Sequence, residues 1–363
     1  MAPMSDEEVR RINLIECLAE DYEDVPEPPE HAAQLWSEAQ IRGYFESGGD
    51  AGGLPAPGGG GGARGEAAGA PPAALSDEEA LAAFPPADKA TFDAWFPGLA
   101  RSKTQCDEPR MRLVCWTNAG NEENLYTNEG IGARRVGTLL EWCRANRVEL
   151  LAPQLPGRGL RRGEEMLRSP QEVARAVLPV VASKLVGVPY CVVGHSVGTW
   201  NCYELLSALR EAGLPMPRAA FFSAFPAPHL PRGERPWRPN GALGEDDFKE
   251  ECRGWDVNEL VFQPSMWGVY QGLMRGDFRL FDEYDFERDA DPPFPFPITA
   301  FHAAHDKKVT RPMLEMWQRW TEGAFRVERV EGHHLYAMGL EEQKPAKVFW
   351  LETIVQGLEQ ALR

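Results

Sequence analysis

From Met111 to the end of the chain, short apolar runs alternate with longer segments of helical periodicity. The short runs predict six strands, at Arg112–Trp116, Val148–Pro153, Tyr190–Gly194, Ala219–Ala224, Ile298–His302 and Phe325–Val330. The longer segments predict helices at Ala133–Ala145, Pro170–Leu185, Thr199–Ala212, Pro312–Thr321 and Pro345–Leu362. Because runs such as Tyr190–Val193 are continuously apolar, we expect a doubly wound, mostly parallel α/β sheet with helices on both faces.

One long segment, residues 226–297, interrupts this alternation. It is rich in Pro, Trp and Phe and has helical patterns of its own near Asp246–Cys252 and Ser265–Asp277. An insertion between strands of an open α/β sheet falls at the edge where ligands bind. We therefore expect a helical lid, and a subdomain that only packs against the sheet is the alternative.

The chain before the sheet divides into three parts by composition. Residues 1–47 are an acidic N-terminal extension with patchy helical periodicity, and residues 48–75 are a flexible linker rich in Gly, Ala and Pro. Residues 76–110 are a helical lead-in that begins with Ser76 as an N-cap. The α/β domain itself is expected to span residues 111–363.

Charge and cysteine usage narrow the class of protein. The formal net charge of -17 argues against nucleic-acid binding, which needs a surplus of Lys and Arg. The seven cysteines are scattered and lack a C-x-x-C pair, so we expect reduced thiols and a cytoplasmic location. No uncharged apolar stretch is long enough to cross a bilayer.

The pentapeptide Gly194-His195-Ser196-Val197-Gly198 lies between a predicted strand and a predicted helix. A G-x-S-x-G sequence in that position is typical of the nucleophile elbow of the α/β-hydrolase fold. The turn exposes the hydroxyl of Ser196 at a helix N-terminus, where the helix dipole favours a developing oxyanion. An ordinary strand–helix turn with Ser196 as a helix cap is the alternative.

The partners of a serine nucleophile follow it in this fold in the order acid, then histidine. Asp306 lies just after the strand Ile298–His302, and His333 and His334 follow the strand Phe325–Val330. Chemistry alone leaves open which histidine is the base. One oxyanion amide should come from Val197 and the second from the loop Thr117–Asn121.

The α/β domain resembles the type II thioesterases that accompany polyketide, nonribosomal peptide and fatty-acid synthases. Five blocks carry the resemblance: Leu113–Gly120, Val148–Arg158 with its Leu-Pro-Gly-Arg end, the elbow Gly194–Gly198, Met274–Phe278 with Tyr284, and the pair Asp306–Val309 and Gly332–Tyr336. The resemblance implies Ser196 as nucleophile, Asp306 as acid and His334 as base. It also implies that the amides of Ala119 and Val197 form the oxyanion hole, and it implies no metal or organic cofactor.

The resemblance further implies a substrate, an acyl thioester on the phosphopantetheine arm of an acyl carrier protein or carrier domain, hydrolysed for editing or release. Carrier proteins of this kind are acidic, so a docking face should be basic. Candidate docking residues are Arg158, Arg161 and Arg162, with Arg232, Arg235 and Arg238 in the insertion. Solvated loop arginines without a docking role are the alternative. Two alternatives remain: hydrolysis of coenzyme A thioesters or carboxylic esters without a carrier partner, and a non-catalytic interaction protein on a hydrolase scaffold.

Overall fold

The computed structural model describes residues 74–132 and 135–363, together with a few isolated positions before residue 74. The chain divides into two units, Met1–Ala67 and Ala68–Arg363, and every helix and strand given below belongs to the second. Apart from those isolated positions and residues 74 and 75, the predicted acidic extension (1–47) and linker (48–75) lie outside the described residues.

Six strands form one sheet in which all neighbours are parallel. They are β1 Met111–Trp116, β2 Val148–Leu151, β3 Tyr190–His195, β4 Ala220–Ser223, β5 Ile298–Ala303 and β6 Phe325–Val330. The strand order is β2-β1-β3-β4-β5-β6. The predicted α/β fold is confirmed, and each strand ends within about two residues of its predicted bounds.

Eleven α-helices accompany the sheet in the described part of the chain. They are α1 Asp77–Ala83, α2 Lys89–Trp95, α3 Gly98–Ser102, α4 Asn124–Thr127, α5 Thr138–Asn146, α6 Pro170–Leu185, α7 Gly198–Glu211, α8 Glu245–Gly254, α9 Pro264–Asp282, α10 Arg311–Glu315 and α11 Lys344–Ala361. None of these helices has the combination of length and hydropathy that a membrane span requires.

Two predicted helices differ from the observed ones. The helix predicted from Ala133 begins only at Thr138, and residues 133 and 134 lie outside the described part of the chain. The amide of Val136 donates a hydrogen bond to the Glu129 carbonyl, a contact outside any helix. The helix predicted over Pro312–Thr321 is α-helical only as α10 and continues as a 3-10 turn over Met316–Trp320.

The sheet is buried on both faces because its strands alternate side chains between two hydrophobic cores. On β1, Val114 and Trp116 point into a core that contains residues of α6 and α7. Leu113 and Cys115 point into a second core that contains residues of α5 and α11. Helices therefore cover each face, as the continuously apolar strands predict.

The strand order places β1 beside β3, with β2 on the other flank of β1. Chain connections leave β1 and β3 towards opposite sides, which opens a crevice at their carboxyl ends. The loop 117–121 follows β1 and Ser196 follows β3, so both reach this crevice. Residues 224–297, between β4 and β5, carry α8 and α9.

Candidate active site

Ser196 occupies a turn between β3, which ends at His195, and α7, which begins at Gly198. Its φ of 54° lies in the left-handed region, which is costly for a residue with a Cβ. The two flanking glycines make the turn possible. A Cβ on Gly194 would lie 2.7 Å from Thr199 Cα, and one on Gly198 would lie 2.6 Å from the Trp116 carbonyl oxygen. The strand, sharp turn and helix that the sequence pattern predicts are all present.

A chain of hydrogen bonds links Ser196 to two other side chains. Ser196 Oγ lies 2.9 Å from His334 Nε2, and His334 Nδ1 lies 2.7 Å from Asp306 Oδ2. The second oxygen of Asp306 accepts the amides of Lys308 and Val309, at 2.9 and 3.0 Å. Of the two adjacent histidines, His334 faces the serine, whereas His333 lies with its Nδ1 3.8 Å from Asp256 Oδ2.

The electrostatic setting of this chain favours an ionised acid. Burial acts to raise the pKa of Asp306, but the charge of His334, its hydrogen bond and the two backbone amides outweigh burial, so the pKa lies below its usual value. Asp306 is therefore a carboxylate at neutral pH, where it orients the imidazole of His334 and stabilises a positive charge on it.

Behind the elbow lies a buried polar network that the sequence analysis missed. His195 Nδ1 lies 2.8 Å from Ser223 Oγ, and Ser223 also pairs with the hydroxyl of Tyr336. Burial, followed by the charge of His334, lowers the pKa of His195 to about 3, so this ring stays neutral. The carbonyl of Ser223 also accepts the amide of Ser196 at 2.8 Å. These contacts fix the elbow against β4 and the histidine loop.

Two backbone amides are available near Ser196. Val197 is the residue directly before α7, and Ala119 belongs to the loop after β1 and lines the same small cavity as Ser196. Within the described residues, the amides of Ala119 and Val197 donate no hydrogen bond to another backbone group. Unpaired amides beside a nucleophile are what a tetrahedral oxyanion requires.

The loop that carries Ala119 is anchored by a buried ion pair. The amide of Gly120 donates to Asp277 Oδ2 at 2.6 Å, and Arg158 binds both oxygens of Asp277, at 2.8 and 2.5 Å. Arg158 also donates to the Asn121 carbonyl at 3.0 Å. Asp277 lies in α9, so the insertion helps to shape the loop. The sequence analysis quoted Asp277 only as part of a motif and did not foresee this contact.

The burial of two candidate docking arginines corrects the sequence analysis. Arg158 is only 4% exposed and Arg161 only 8%. Arg161 pairs with Glu164, donates to the Gln154 carbonyl and stacks over the Trp95 ring at 4.2 Å. Neither guanidinium can meet a partner protein in this structure, because internal groups already bind both. Arg162 is the exposed member of the three.

The three candidate docking arginines of the insertion also form contacts within this chain. Arg235 donates to the carbonyls of Phe281 and Tyr284 and lies over the Trp200 ring. Burial lowers its pKa to about 10. Arg232 and Arg238 are about half exposed and form ion pairs with acidic residues of the insertion. A docking role would require them to exchange these partners.

The insertion covers Ser196. A cavity of about 20 Å³ is lined by Asn118, Ala119, Ser196, Trp255, Val257, Met274, Phe278, Phe281, His334 and Leu335. That volume accommodates roughly one water molecule. A groove of about 370 Å³ lies next to it and shares Asn118, Ala119, Val257, Met274 and Leu335 with the small cavity. The groove therefore leads towards Ser196, and side chains of the insertion and of the loops after β1 and β6 separate the two spaces.

A parallel α/β sheet with a serine on a strand–helix elbow, hydrogen-bonded to a histidine, defines a serine hydrolase of the α/β-hydrolase class. The sequence of residues 140–349, which make up more than half of the chain, matches the model of the protein family called Thioesterase domain. The chain therefore belongs to the thioesterase family, and within it to the type II thioesterases.

Individual relatives agree with this assignment. The gramicidin S biosynthesis protein GrsT of Aneurinibacillus migulanus is 30% identical over 231 residues, which cover 62% of this chain and 83% of the relative. The RedJ thioesterase of the prodiginine pathway of Streptomyces coelicolor superposes with a TM-score of 0.58 at 27% identity, covering 68% of this chain and 86% of RedJ. The type II thioesterase BorB of the borrelidin cluster also has a TM-score of 0.58, at 25% identity, with 75% and 98% covered.

Proposed function

We propose that this type II thioesterase hydrolyses acyl groups from the phosphopantetheine arm of a carrier protein of a polyketide or fatty-acid synthase, for editing or release. The observation that carries the proposal is the hydrogen-bonded chain from Asp306 through His334 to Ser196, which ends at a cavity shared with Ala119. These residues are the candidate nucleophile, base and acid.

In the first half of the reaction His334 takes the proton of Ser196, whose oxygen attacks the thioester carbonyl. The carbonyl π electrons move onto its oxygen, and the amides of Ala119 and Val197 stabilise that negative charge. When the tetrahedral intermediate collapses, the C–S bond breaks and the thiolate receives the proton from His334. The acyl group is then held as an ester of Ser196.

In the second half water replaces the thiol. His334 removes a proton from the water, and the resulting hydroxide attacks the ester carbonyl through the same oxyanion site. Collapse breaks the bond to the serine oxygen, which takes the proton back from His334. The products are the carboxylic acid and the regenerated Ser196, so the cycle needs no group beyond this chain and water.

The groove of about 370 Å³ supports a substrate with a long, flexible arm. It is lined by apolar residues, among them Val261, Met274 and Met338, and by the polar residues Asn118 and Asn121. A phosphopantetheine arm has both apolar methylenes and hydrogen-bonding amides, and such a mixed lining suits it. GrsT, RedJ and BorB each come from a biosynthetic pathway or gene cluster, which favours the same substrate class here.

A direct comparison of substrates tests the proposal. The same acyl group is presented on a phosphopantetheinylated carrier protein, on coenzyme A and as a p-nitrophenyl ester, and kcat/KM is measured for each. We expect the highest kcat/KM for the carrier-bound thioester. Equal or higher values for the coenzyme A thioester would instead favour a hydrolase without a carrier partner, and no turnover of any of the three would favour a non-catalytic role.

We also propose that residues 226–297 act as a lid, because residues of this insertion line the small cavity beside Ser196.

We further propose that residues 76–110 belong to the folded enzyme. The amide of Leu75 donates to the Gly213 carbonyl at 2.9 Å, and Ser76 and Glu79 form a capping box at the start of α1. Deleting residues 1–73 leaves these contacts in place. Comparing the kcat/KM of that variant on a small thioester and on an acyl carrier protein would reveal whether the acidic extension contributes to carrier recognition.

The described cysteines support the proposed reducing, cytoplasmic location. Cys115, Cys143, Cys191, Cys202 and Cys252 are buried free thiols. Burial raises the pKa of the Cys143 thiol to about 12, so it is protonated and unreactive at neutral pH. Fractionation of the source cells with an antibody to this chain tests the location, and recovery in a secreted fraction would contradict it.

A further inference from the structure

We propose that Asp256 is a positioning residue that fixes His334 when the insertion closes over Ser196. Asp256 lies two positions after the last residue of α8 in the insertion, 78 positions before the histidine whose amide it binds. The inference rests on the proposed role of His334 as base, and it adds a coupling between closure of the insertion and alignment of that base.

The backbone at Asp256 is strained in a way that needs a reason. Its amide donates to the Arg253 carbonyl at 3.0 Å, and the next amide, of Val257, donates to the Cys252 carbonyl at 3.2 Å. This pair of hydrogen bonds ends a helix with one residue in the left-handed region, usually glycine. Asp256 has a φ of 60°. A side chain there costs about 1 kcal/mol relative to glycine, so its carboxylate is the feature to account for.

The carboxylate of Asp256 binds the two loops that carry the candidate base and acid. Oδ2 accepts the backbone amide of His334 at 3.1 Å, and Oδ1 pairs with Lys307 Nζ at 2.6 Å. Lys307 directly follows Asp306 in the chain. The side chain of Asp256 is 7% exposed, whereas that of Lys307 is 61% exposed. The buried contact is therefore the one with His334.

The neighbouring residue holds the same histidine from another direction. The Trp255 ring lies edge-on to the His334 imidazole, with ring centroids 4.7 Å apart. The indole N–H of Trp255 donates to Glu251 Oε1 at 3.2 Å, which fixes the ring on α8. Consecutive insertion residues thus contact both the ring and the backbone of His334.

These contacts depend on the position of the insertion. The cavity beside Ser196 has room for roughly one water molecule, so an acyl chain reaches the serine only if insertion side chains move away. When α8 moves, Asp256 loses the amide of His334. When α8 returns over a bound acyl group, the same hydrogen bond forms again and restores the position of the imidazole. Closure and alignment of the base are one event.

Replacement of Asp256 by glycine separates alignment from folding. Glycine relieves the left-handed strain, so Asp256→Gly should keep or raise the midpoint of thermal unfolding. We expect kcat on a soluble acyl thioester to fall about tenfold, with KM changed less than twofold, because misplacement of a catalytic group slows the chemical step. The rate of Ser196 labelling by a fluorophosphonate probe should fall in parallel.

Two further variants complete the test. Asp256→Asn retains an oxygen that accepts the His334 amide, so its kcat should lie within about threefold of the wild-type value. Lys103 provides the control for the backbone change alone, because it is exposed and has a φ of 55° after α3 but, unlike Asp256, does not line the groove. Lys103→Gly makes the same backbone change and should leave kcat and KM unchanged.

The outcomes distinguish this inference from the proposed function. Wild-type kcat in Asp256→Gly, or an Asp256→Asn variant as slow as Asp256→Gly, would overturn the positioning role. A changed KM with an unchanged kcat would do so as well. The proposed function is judged separately by Ser196→Ala. Activity retained in that variant contradicts the function, whereas an inactive Ser196→Ala beside a fully active Asp256→Gly rejects only the coupling.

Discussion

The sheet and the insertion contribute to the candidate site in different ways. The sheet supplies the candidate reactive groups, since Ser196, Asp306 and His334 each follow the end of a parallel strand within a few residues. The insertion supplies residues that hold these groups and close over them, with Asp277 on the loop of Ala119 and Asp256 on His334. The difference teaches that the chemistry is set by local turns, whereas access and alignment depend on contacts between distant segments.

The two regions also differ in how they treat a buried carboxyl. Next to the sheet, His334 and two amides hold the pKa of Asp306 below its usual value. In the insertion, burial raises the pKa of Asp282 to about 6, although hydrogen bonds from Asn240 act to lower it. The anionic form of Asp306 is thus stabilised, whereas the anionic form of Asp282 is destabilised near neutral pH.

The largest expected effect tests the candidate catalytic residues that follow the ends of the strands. Ser196→Ala removes the nucleophile and should lower kcat by at least about 10⁴-fold, because the remaining groups act only as a unit with it. The matched control is Ser207→Ala on α7, the helix that follows Ser196, where the buried hydroxyl has no hydrogen-bond partner among the described residues. That variant should keep wild-type activity in the same steady-state assay. A comparable loss in both variants would mean that damage to α7, and not the missing nucleophile, explains the result.

The next effect tests how the insertion supports the loop after β1, which carries Ala119. Asp277→Asn leaves Arg158 buried without its counter-charge, so the free energy of unfolding should fall by about 3–5 kcal/mol. The control is Glu283→Gln, which removes an exposed ion pair with Arg279 at the end of the same helix. We expect a loss below about 0.5 kcal/mol there. Urea unfolding followed by tryptophan fluorescence measures both, and equal losses would contradict a special role for the buried pair.

A smaller effect depends on pH. Burial raises the pKa of Asp282 in the folded state to about 6, above its ordinary value of 3.8, so protonation favours the folded state. The stabilisation is present below about pH 4 and is lost as the pH rises through 6. Asp282→Asn should therefore be more stable than the wild type by about 2–3 kcal/mol at pH 8, and the difference should vanish at pH 4.

The control for this pH effect is Asp285→Asn, which changes an exposed carboxyl of the insertion. Thermal unfolding midpoints at pH 4, 6 and 8 provide the measurement. Asp285→Asn should show no stabilisation that grows with pH. If the gain in Asp282→Asn is the same at all three pH values, the raised pKa is not its cause.

The smallest effect concerns carrier docking. Arg162→Glu reverses the charge of the exposed arginine of the loop after β2 and should raise KM for a carrier-bound acyl group by about three- to tenfold. KM for a small thioester should not change. Arg218→Glu is the control, because Arg218 is exposed near the start of β4, at the opposite end of the sheet from Ser196. A rise in KM for both substrates would remove Arg162 from the docking surface.

The strands and the candidate site residues that follow them could largely be predicted from the sequence, because the signals for them are local. Apolar runs locate strands, and the glycines around Ser196 mark a turn that only glycine permits. Asp306 and His334 follow from the order of strand ends and from resemblance to the thioesterase motifs. The choice between His333 and His334 needed that resemblance, since both follow the same strand.

The insertion contacts could not be predicted because nothing near them in the chain indicates their partners. Arg158 in a loop sequence suggests exposure, yet the residue that buries it, Asp277, lies 119 positions away. Asp256 follows a helix in place of the usual glycine, and this local signal marks it as unusual. The identity of its partner, His334, depends on the packing of α8 against the loop after β6.

Membership of the two hydrophobic cores predicts which contacts an opening of the insertion would break. The insertion residues Trp255, Phe278 and Phe281 belong to the core that includes α6 and α7, whereas Tyr336, two residues after the candidate base His334, belongs to the core that includes α11. We therefore expect local unfolding of α8 and α9 to expose their own backbone amides and that of His334, whose acceptor is Asp256, to hydrogen exchange, while Tyr336 stays packed in its core. In such an opening event we expect His334 to lose its contacts with Trp255 and Asp256, while the core around Tyr336 keeps its packing.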